Sequence, residues 1–404
     1  MTGNDRRAIR SGEPAAPPVE RDGDVVTVRA LGPARQMLRA RDLTTQAGFT
    51  AESIPTGYLK HHPILMSDGP LHDEQRRRVA RFFAPVVVHQ RYADRAREMA
   101  ATLLAAAAEQ GTFLLDEVAL DYTVAVTAEV VGLTESSVPA MARRLVTFFK
   151  QPPFDLTKPR LGRSPRQWAQ AAVNGLWPVV RFYAADVRRA VAVRRRSPRD
   201  DVISHLIEQG YTDVDILVEC VTYGTAGMVT TREFIAMAAW HLLTDADLRR
   251  TYRQGDTDAR LAVLNEIMRL EPVVGHLYRR AQADFVVSDA GQECPIRRGD
   301  LIDVSVRPAN ADPSVVGAEP LRLRPGRSLP AGVNATGLAF GDGAHKCPGQ
   351  PLALMEAEIF LTRLLGQDPV VIAEPEVGWD DLIAGYTVRD LRIRLGTPEA
   401  AQSG

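Results

Sequence analysis

Cysteine is scarce in this chain, and the spacing of the few cysteines excludes several kinds of site. The 404 residues contain only Cys220, Cys294 and Cys347, and no two of them form a Cys-x-x-Cys pair. A disulfide framework or a structural zinc site uses more cysteines at shorter spacings. The sequence therefore predicts a protein of the reducing cytoplasm.

An excess of charge of either sign is also missing. Lys and Arg together number 49, Asp and Glu together number 50, and the formal net charge is −1. This balance gives no general attraction for nucleic acid or for an anionic membrane, and we expect neither as a partner. The hydrophobic fraction of 45% is that of a globular protein with a large core.

The sequence has no apolar run long enough to span a membrane. Its most apolar stretch, from Asp213 to Leu243, predicts a helix through the core, and Glu219, Arg232 and Glu233 interrupt the apolar run. Residues 1–24 are rich in charge, Pro, Gly and Ala, which predicts a disordered tail that is neither a signal peptide nor an anchor. We expect residues 25–404 to form one domain.

The stretch Phe-Gly-Asp-Gly-Ala-His-Lys-Cys-Pro-Gly, residues 340–349, carries the strongest chemical signal. Cys347 lies between a glycine-rich loop and a helix that is expected to open with Pro348. The positive end of the helix dipole is then expected to lower the pKa of the thiol and favour the metal-binding thiolate. Three glycines of this stretch are expected to adopt positive φ and admit a flat ligand. These features suggest a thiolate presented to a haem.

This stretch resembles the haem-binding loop of the cytochrome P450 family, whose pattern is Phe-Gly-x-Gly-x-His-x-Cys-x-Gly. All fixed positions of the pattern are matched, which argues against an ordinary buried cysteine at a helix start. The resemblance implies that Cys347 ligates the iron of haem b (iron protoporphyrin IX) and that Phe340, Gly341 and Gly349 contact the cofactor. A thiolate ligand pushes electron density onto the iron and favours O–O cleavage.

Four basic side chains are candidates for binding the haem propionates. His72 and Arg76 are four residues apart and share a helix face, as in the family's His-x-x-x-Arg element. A solvated helix face is the alternative for this pair. By resemblance, Arg279 takes a propionate-binding position on a strand, and His345 joins from the cysteine loop.

The predicted core helix contains Ala226-Gly227-Met228-Val229-Thr230, which resembles the family's oxygen-binding stretch, Ala-Gly-x-acid-Thr. Ala226, Gly227 and Thr230 match, and the resemblance makes them, with position 229, the catalytic stretch. Val229 replaces the acid and can neither donate nor relay a proton. Three proton routes stay open: Thr230 with water, a polar group of the substrate, or a reaction that needs no second protonation. Glu233, one turn away, is expected to be a surface or salt-bridged residue instead.

A structural network is implied behind the haem loop. Glu266 and Arg269 are three apart on a predicted helix and resemble the family's Glu-x-x-Arg element. Arg327 is the expected third member, with Arg324 as the alternative.

The ordered set of motifs implies a cytochrome P450 fold, mainly α with a smaller β-rich part near the N-terminus, in a single domain around a buried haem. The implied function is a monooxygenase that oxidises a small organic molecule, a secondary-metabolite intermediate, with dioxygen (O2). Electrons would come from a ferredoxin and a ferredoxin reductase, since the chain has no flavin or nicotinamide fingerprint. We expect a monomer.

Two other functions are compatible with these motifs. Val229 favours an atypical haem-thiolate enzyme that performs oxidative coupling, nitration or peroxide-driven oxidation. A non-catalytic haem binder is the other alternative, and Thr230 argues against it because a sensor needs no hydroxyl above the haem.

Overall fold

Helices build most of the structure and enclose a smaller β-rich part. The computed structural model describes residues 3–10, 17–48, 60–289 and 291–396. The α-helices are α1 (Leu31–Arg39), α2 (Gly69–Phe83), α3 (Pro85–Val87), α4 (Ala93–Ala108), α5 (Leu115–Val131), α6 (Val138–Leu145), α7 (Pro165–Phe182), α8 (Arg188–Arg196), α9 (Val202–Glu208), α10 (Asp213–Tyr223), α11 (Thr230–Thr244), α12 (Ala246–Gln254), α13 (Thr257–Leu270), α14 (Val306–Ala309), α15 (Pro313–Val316) and α16 (Gln350–Leu365).

The strands form four small sheets. The strands are β1 (Val19–Asp22), β2 (Val25–Val28), β3 (Thr44–Ala47), β4 (Thr112–Leu114), β5 (His276–Ala281), β6 (Phe285–Asp289), β7 (Gln292–Ile296), β8 (Leu301–Ser305), β9 (Val370–Ala373), β10 (Glu376–Asp380), β11 (Gly385–Arg389) and β12 (Arg392–Arg394). The largest sheet has the order β1-β2-β8-β5-β3, in which β2 and β8 are parallel. The β-rich part near the N-terminus therefore also uses strands from the second half of the chain.

The core consists of two hydrophobic clusters that correspond to these two parts. The larger one joins the helices from α2 to α16, and the smaller one joins α1 to the five-stranded sheet. None of the helices described in the structure is both long enough and apolar enough to cross a bilayer. The expected fold class, mainly α with a smaller β-rich part in a single domain, is confirmed.

The central helix runs as α10 and α11 joined by a π-helical segment, Gly224–Val229. Its start is fixed by a capping box, because the Thr212 side chain accepts from Asp215 N–H and the Asp215 side chain accepts from Thr212 N–H. Nearly all of α11 is buried, as a helix that is apolar around its circumference should be.

The N-terminal residues differ from the expected disordered tail. Residues 19–22 form β1 and pair with β2, and Ala8 is fully buried. The Ala8 N–H donates to Glu271 at 3.2 Å, and Asp5 forms an ion pair with Arg322 at 2.8 Å. These contacts depend on partners more than 250 residues away in the sequence, so local composition did not reveal them. The rest of the predicted tail, residues 1–2 and 11–16, lies outside the described residues.

Candidate functional site

The cysteine loop is a tight turn that precedes α16. The Cys347 N–H donates to the Phe340 carbonyl at 2.8 Å, and Gly341 has a φ of +70°, which favours glycine. The helix begins at Gln350, not at Pro348 as the sequence suggested. Pro351 occupies its first turn instead, where the absence of an N–H costs nothing.

The thiol of Cys347 lies where backbone donors converge. The N–H groups of Gly349 and Gln350 donate to the sulfur, and the positive charge of Arg76 also favours the thiolate. Burial nevertheless raises the pKa of Cys347 above its usual value, and it outweighs these effects. The sequence-based expectation of a lowered pKa is therefore wrong for the protein alone. Gly349 has a φ of −80° rather than the expected positive angle, and a Cβ on it would lie 3.7 Å from the Cys347 Sγ.

Cys347 has accessible surface although burial dominates its electrostatics. A side chain that is both accessible and deep in the protein faces an internal cavity. Ala226 is likewise exposed, although it lies in the middle of the central helix. The charge of Arg76 acts both on Cys347 and on Tyr223, which precedes Ala226 by about one helical turn. The thiol and the exposed face of the central helix therefore border one region of the interior.

The predicted propionate-binding residues come together at one edge of this region. His72, Arg279 and His345 line a common cavity of about 10 Å³, and the His72 and His345 rings stack at 4.0 Å. Arg76 lies next to them, because its Nη2 donates to the Lys346 carbonyl at 2.6 Å. Sequence elements from α2, β5 and the cysteine loop thus converge as expected.

The electrostatics of this edge fit an acid-bearing ligand. Arg279 is only 4% exposed, and burial lowers its pKa to about 10. Burial also lowers the pKa of Arg76. Neither guanidinium forms an ion pair with a carboxylate in the described part of the chain. Buried cations without counter-ions are costly, and a pair of propionates would compensate them.

The histidines at this edge are also constrained by their surroundings. Burial, together with the charges of His345 and Arg76, lowers the pKa of His72 to about 4, so His72 is neutral. His345 Nε2 lies 2.9 Å from Asp68 Oδ1. The Asp68 contact was not anticipated from the sequence, since no spacing rule connects residues 277 positions apart.

The stretch that resembles the oxygen-binding motif coincides with the π-helical segment. Thr230 begins α11, and its hydroxyl donates to the Ala226 carbonyl. The Thr123 hydroxyl donates to the Met228 carbonyl at 2.7 Å, which satisfies a backbone group that the widened turn releases. A Cβ on Gly227 would contact Thr127 Cγ2 at 3.4 Å, so glycine allows α5 to approach the central helix closely. Single-turn π segments are frequent at functional sites.

Val229 is only 3% exposed, so its side chain is buried. Glu233 does not replace the missing acid, because it is engaged elsewhere. It binds Arg232, accepts from the Val388 N–H at 2.8 Å and forms an ion pair with Arg389 at 2.7 Å. The expectation of a salt-bridged residue is met, although Glu233 is buried and not at the surface.

The Glu266 network is assembled as the sequence suggested. Arg269 Nε and Nη2 donate to the two Glu266 oxygens at 2.7 and 2.8 Å, and Arg327 Nε donates at 2.9 Å. Arg324, the alternative, contributes only its backbone N–H at 3.1 Å. The network reaches the cysteine loop through Asn310, whose carbonyl accepts from Arg269 and whose Oδ1 accepts from the Leu338 N–H.

A second set of contacts holds the cysteine loop against α1, and the sequence analysis did not predict it. Asp342 forms ion pairs with Arg35 at 2.9 Å and Arg39 at 3.0 Å on α1. Gly343 approaches the same helix so closely that a Cβ on it would lie 2.3 Å from the Leu38 carbonyl oxygen. Gly343 therefore serves packing against α1 and not ligand approach, and the four-residue spacing of the two arginines was the available signal.

Comparisons with known proteins agree with this geometry. A model of the family described as cytochrome P450 matches residues 261–367. The chain is 31% identical over 212 residues to Cytochrome P450 105C1 of a Streptomyces species, covering 52% of this chain and 50% of that protein. It is 26% identical over 314 residues to Cytochrome P450 109 of Bacillus spizizenii, covering 76% and 72% of the two chains.

The fold is that of solved structures of the same kind. The crystal structure of a post-tailoring hydroxylase (HmtN) involved in himastatin biosynthesis superposes with a TM-score of 0.70 at 25% identity, covering 94% of each chain. The cofactor of this family is haem b. The accessible thiol of Cys347 fits that cofactor, and so do Arg76 and Arg279, which form no ion pair within the described residues. Sequence, fold and site thus agree in their similarity to the cytochrome P450 family.

Proposed function

We propose that this protein is a haem-thiolate monooxygenase that inserts oxygen from dioxygen into a small organic substrate. The observation that carries the proposal is the pair of accessible groups in the interior, the Cys347 thiol and Ala226, with Thr230 one turn from Ala226. A protein that only stores or senses haem has no need of a small, accessible helix face that ends in a hydroxyl.

The residues of the site have distinct roles in this proposal. Cys347 holds the iron, and His72, Arg76, Arg279 and His345 hold the propionates, with Phe340, Gly341 and Gly349 shaping the loop. Bound haem with a thiolate ligand supplies the activation of dioxygen. In Arg76 and Arg279 the protein supplies two permanent charges, and an arginine can bind a carboxylate with two parallel hydrogen bonds.

The central helix supplies the catalytic stretch of the proposal. Ala226 and Gly227 leave room beside the helix, because neither has a side chain beyond Cβ. Thr230 positions a proton at its Oγ1. Val229 takes no direct part in proton transfer, since its buried side chain has no group that can carry a proton.

We further propose that the substrate is a secondary-metabolite intermediate. The support is the fold-level likeness to a hydroxylase whose description names himastatin biosynthesis. The balance of 49 basic against 50 acidic residues argues for an uncharged or weakly charged molecule over a polyanion.

Electrons must come from another protein, because we find no flavin or nicotinamide fingerprint in the sequence. We propose a ferredoxin and its reductase as that source, and a monomer in the cytoplasm as the working state. The three cysteines are free, as a reducing compartment requires.

The experiment is reconstitution with a ferredoxin, its reductase and isotopically labelled dioxygen. Candidate substrates are first selected by their ability to shift the haem spectrum. We expect one labelled oxygen atom in the product and a requirement for all components. A protein that binds haem through Cys347 but never incorporates labelled oxygen would overturn the proposal.

One observation favours a second candidate function. Val229 stands where relatives of this pattern carry an acid, which weakens direct proton supply at Thr230. An atypical haem-thiolate reaction, such as oxidative coupling, nitration or peroxide-driven oxidation, would need less of that supply. Product formation from hydrogen peroxide in the absence of the ferredoxin pair, without label from dioxygen, would favour this candidate.

A further inference from the structure

A small cavity between α2, α9 and α10 contains polar groups that lack partners. Its volume of about 10 Å³ is close to the space that one water molecule needs. Four buried atoms of its lining residues have no hydrogen-bond partner within the described structure: Gln75 Oε1, Glu219 Oε2, His205 Nε2 and Tyr223 OH. Buried polar atoms in native proteins are nearly always satisfied, so this cluster indicates bound water or a functional role.

Glu219 is the central group of the cluster. Its side chain is 3% exposed, and Oε1 accepts from the Ile64 N–H at 3.0 Å. This single bond fixes the carboxyl and leaves Oε2 at the cavity. An ionised carboxylate in this position would be poorly compensated, and burial raises the pKa of Glu219 to about 7.

Glu219 and Tyr223 are one turn apart on α10, and the π-helical segment Gly224–Val229 leads from them directly to Thr230. Glu219 is about 16 Å from Thr230 along the axis, so it acts through intermediates. Tyr223 is the first of them, because its hydroxyl belongs to the cavity and the residue lies about one turn before Ala226.

His205 connects the cavity to solvent. Its Nε2 is at the cavity wall, while its Nδ1 lies 3.2 Å from Arg81 and 3.8 Å from Glu208. The Arg81 and Glu208 side chains are 54% and 73% exposed. A proton can therefore reach the cavity from the surface through one imidazole.

We propose that His205, a cavity water, Glu219 and Tyr223 form a proton relay from solvent to the accessible face at Thr230. The relay delivers to Thr230 the protons that a valine at position 229 cannot donate or pass on. The inference rests on the proposed monooxygenase function.

The proton transfers of the relay balance. The Glu219 carboxyl gives its proton to the Tyr223 oxygen as Tyr223 releases its own proton toward water beside Thr230. The resulting Glu219 carboxylate takes a proton from the cavity water. That water is reprotonated from solvent through His205, so the relay returns to its starting state.

Several groups around the carboxyl bear on its titration. They are Arg78 and Gln75 from α2, His205 from α9, Tyr211 from the preceding turn, and Asp215, Cys220 and Tyr223 from α10. Asp215 raises the pKa of Glu219, and burial lowers the pKa of His205, so His205 is neutral near neutral pH and able to pass protons. Burial raises the pKa of Tyr223, so Tyr223 keeps its proton at rest.

The first experiment reads the carboxyl itself and needs no turnover. Infrared difference spectra of the haem-loaded protein between acidic and alkaline pH are compared with those of Glu219→Gln. We expect a protonated-carboxyl band that is present in the wild type below neutral pH, absent above it, and absent throughout from the variant. A wild-type spectrum identical to that of the variant at every pH overturns the relay.

The second experiment measures two quantities as functions of pH: the rate of product formation and the amount of product formed per electron consumed. Glu219→Gln and Tyr223→Phe are each expected to lower the rate of product formation about tenfold and to abolish its dependence on pH near neutrality. Glu219→Asp is expected to restore part of the rate, because it keeps an ionisable carboxyl near the cavity.

Two matched controls separate the relay from burial alone. Tyr92→Phe removes another buried hydroxyl that lacks a partner in the described chain, and Glu356→Gln removes a carboxyl on α16 that is 1% exposed and equally unpartnered there. Neither residue lines the cavity. Neither variant is expected to change the amount of product formed per electron consumed.

The outcomes distinguish the relay from the function on which it rests. Normal turnover and an unchanged pH profile in Glu219→Gln overturn the relay and leave the monooxygenase intact. If Glu356→Gln lowers the rate of product formation and Glu219→Gln does not, proton supply depends on α16, and the proposed relay is also overturned. A wild type that consumes no oxygen overturns the proposed function instead.

Discussion

Two glutamate side chains in this protein are equally buried but differ in the number of hydrogen bonds that they accept. Glu266 and Glu219 are each 3% exposed. Glu266 accepts from Arg269, Arg327 and the backbone of Arg324, so both oxygens are bound. Glu219 accepts one backbone bond, and its second oxygen has no partner among the residues described.

The difference separates a structural acid from an acid that is able to exchange protons. Two guanidinium groups and a backbone N–H hold the Glu266 side chain in one geometry. Glu219 has one backbone donor, and burial, together with the charge of Asp215, raises its pKa and favours its protonated form. Burial alone therefore does not identify function; the number of donors around the buried group does.

The largest effect is expected when the Glu266 network is broken. Glu266→Ala leaves Arg269, 1% exposed, and Arg327 without their counter-ion, which should lower the free energy of unfolding by about 3–5 kcal/mol. Glu358→Ala is the matched control, since Glu358 pairs with the partly exposed Arg260 at 3.1 Å and should cost about 1 kcal/mol or less. Denaturant unfolding of the haem-loaded proteins measures both. Equal losses in the two variants would remove the distinction between them.

A pH-dependent effect of similar size is expected at Glu219. Its pKa is raised from 4.5 to about 7, so the folded wild type retains a proton that the unfolded chain has lost. The free energy of unfolding of the wild type should therefore fall as the pH rises from about 4.5 to about 7, by about 3 kcal/mol, and then level off. Glu219→Gln lacks this loss and should be the more stable protein above pH 7.

The measurement is the difference in unfolding free energy between wild type and Glu219→Gln across that pH range. A difference that does not change with pH would mean that Glu219 titrates normally. The contrast with Glu266 would then disappear.

A smaller effect is expected from an arginine that lacks a carboxylate in the described protein. Arg279→Gln removes a buried cation that we assign to a propionate, and haem should dissociate about tenfold faster. Arg280→Gln, one residue along β5 and so on the opposite face, is the matched control and should change the rate little. Haem transfer to an acceptor protein measures both rates. Equal rates in the two variants would remove Arg279 from the cofactor site.

The smallest effect on turnover is expected at Val229. Val229→Asp places a carboxyl at a buried position, where its ionised form is strongly disfavoured. Product formed per electron should stay the same or fall, measured with the true substrate. A clear rise with unchanged product would mean that position 229 reaches the site and that proton supply there is poor in the native protein.

The sequence predicts the parts of this protein that depend on local pattern. The core helix, the convergence of His72, Arg76, Arg279 and His345, and the Glu266 network follow from spacings of three or four residues and from motif order. These features are encoded within single helices or short loops, so one segment at a time suffices to detect them.

The parts that were missed depend on contacts distant in sequence. Glu219 was visible only as a charge within an apolar run, because its lack of donors is a property of the elements packed around it. The raised pKa of Cys347 has the same origin, since burial is not readable from a loop motif. The docking of Ala8 on Glu271 likewise joins segments that no local rule relates.

The most direct test of the whole account is the absorption spectrum of the reduced, carbon-monoxide-bound protein with Cys347 replaced by Ala. We predict that the wild type shows the thiolate-type spectrum and that Cys347→Ala abolishes it. Cys220→Ala and Cys294→Ala should both retain it, since Cys220 is a buried thiol whose pKa burial raises far above its usual value. A thiolate-type spectrum that survives in Cys347→Ala would contradict the assignment of the iron ligand and, with it, the proposed site.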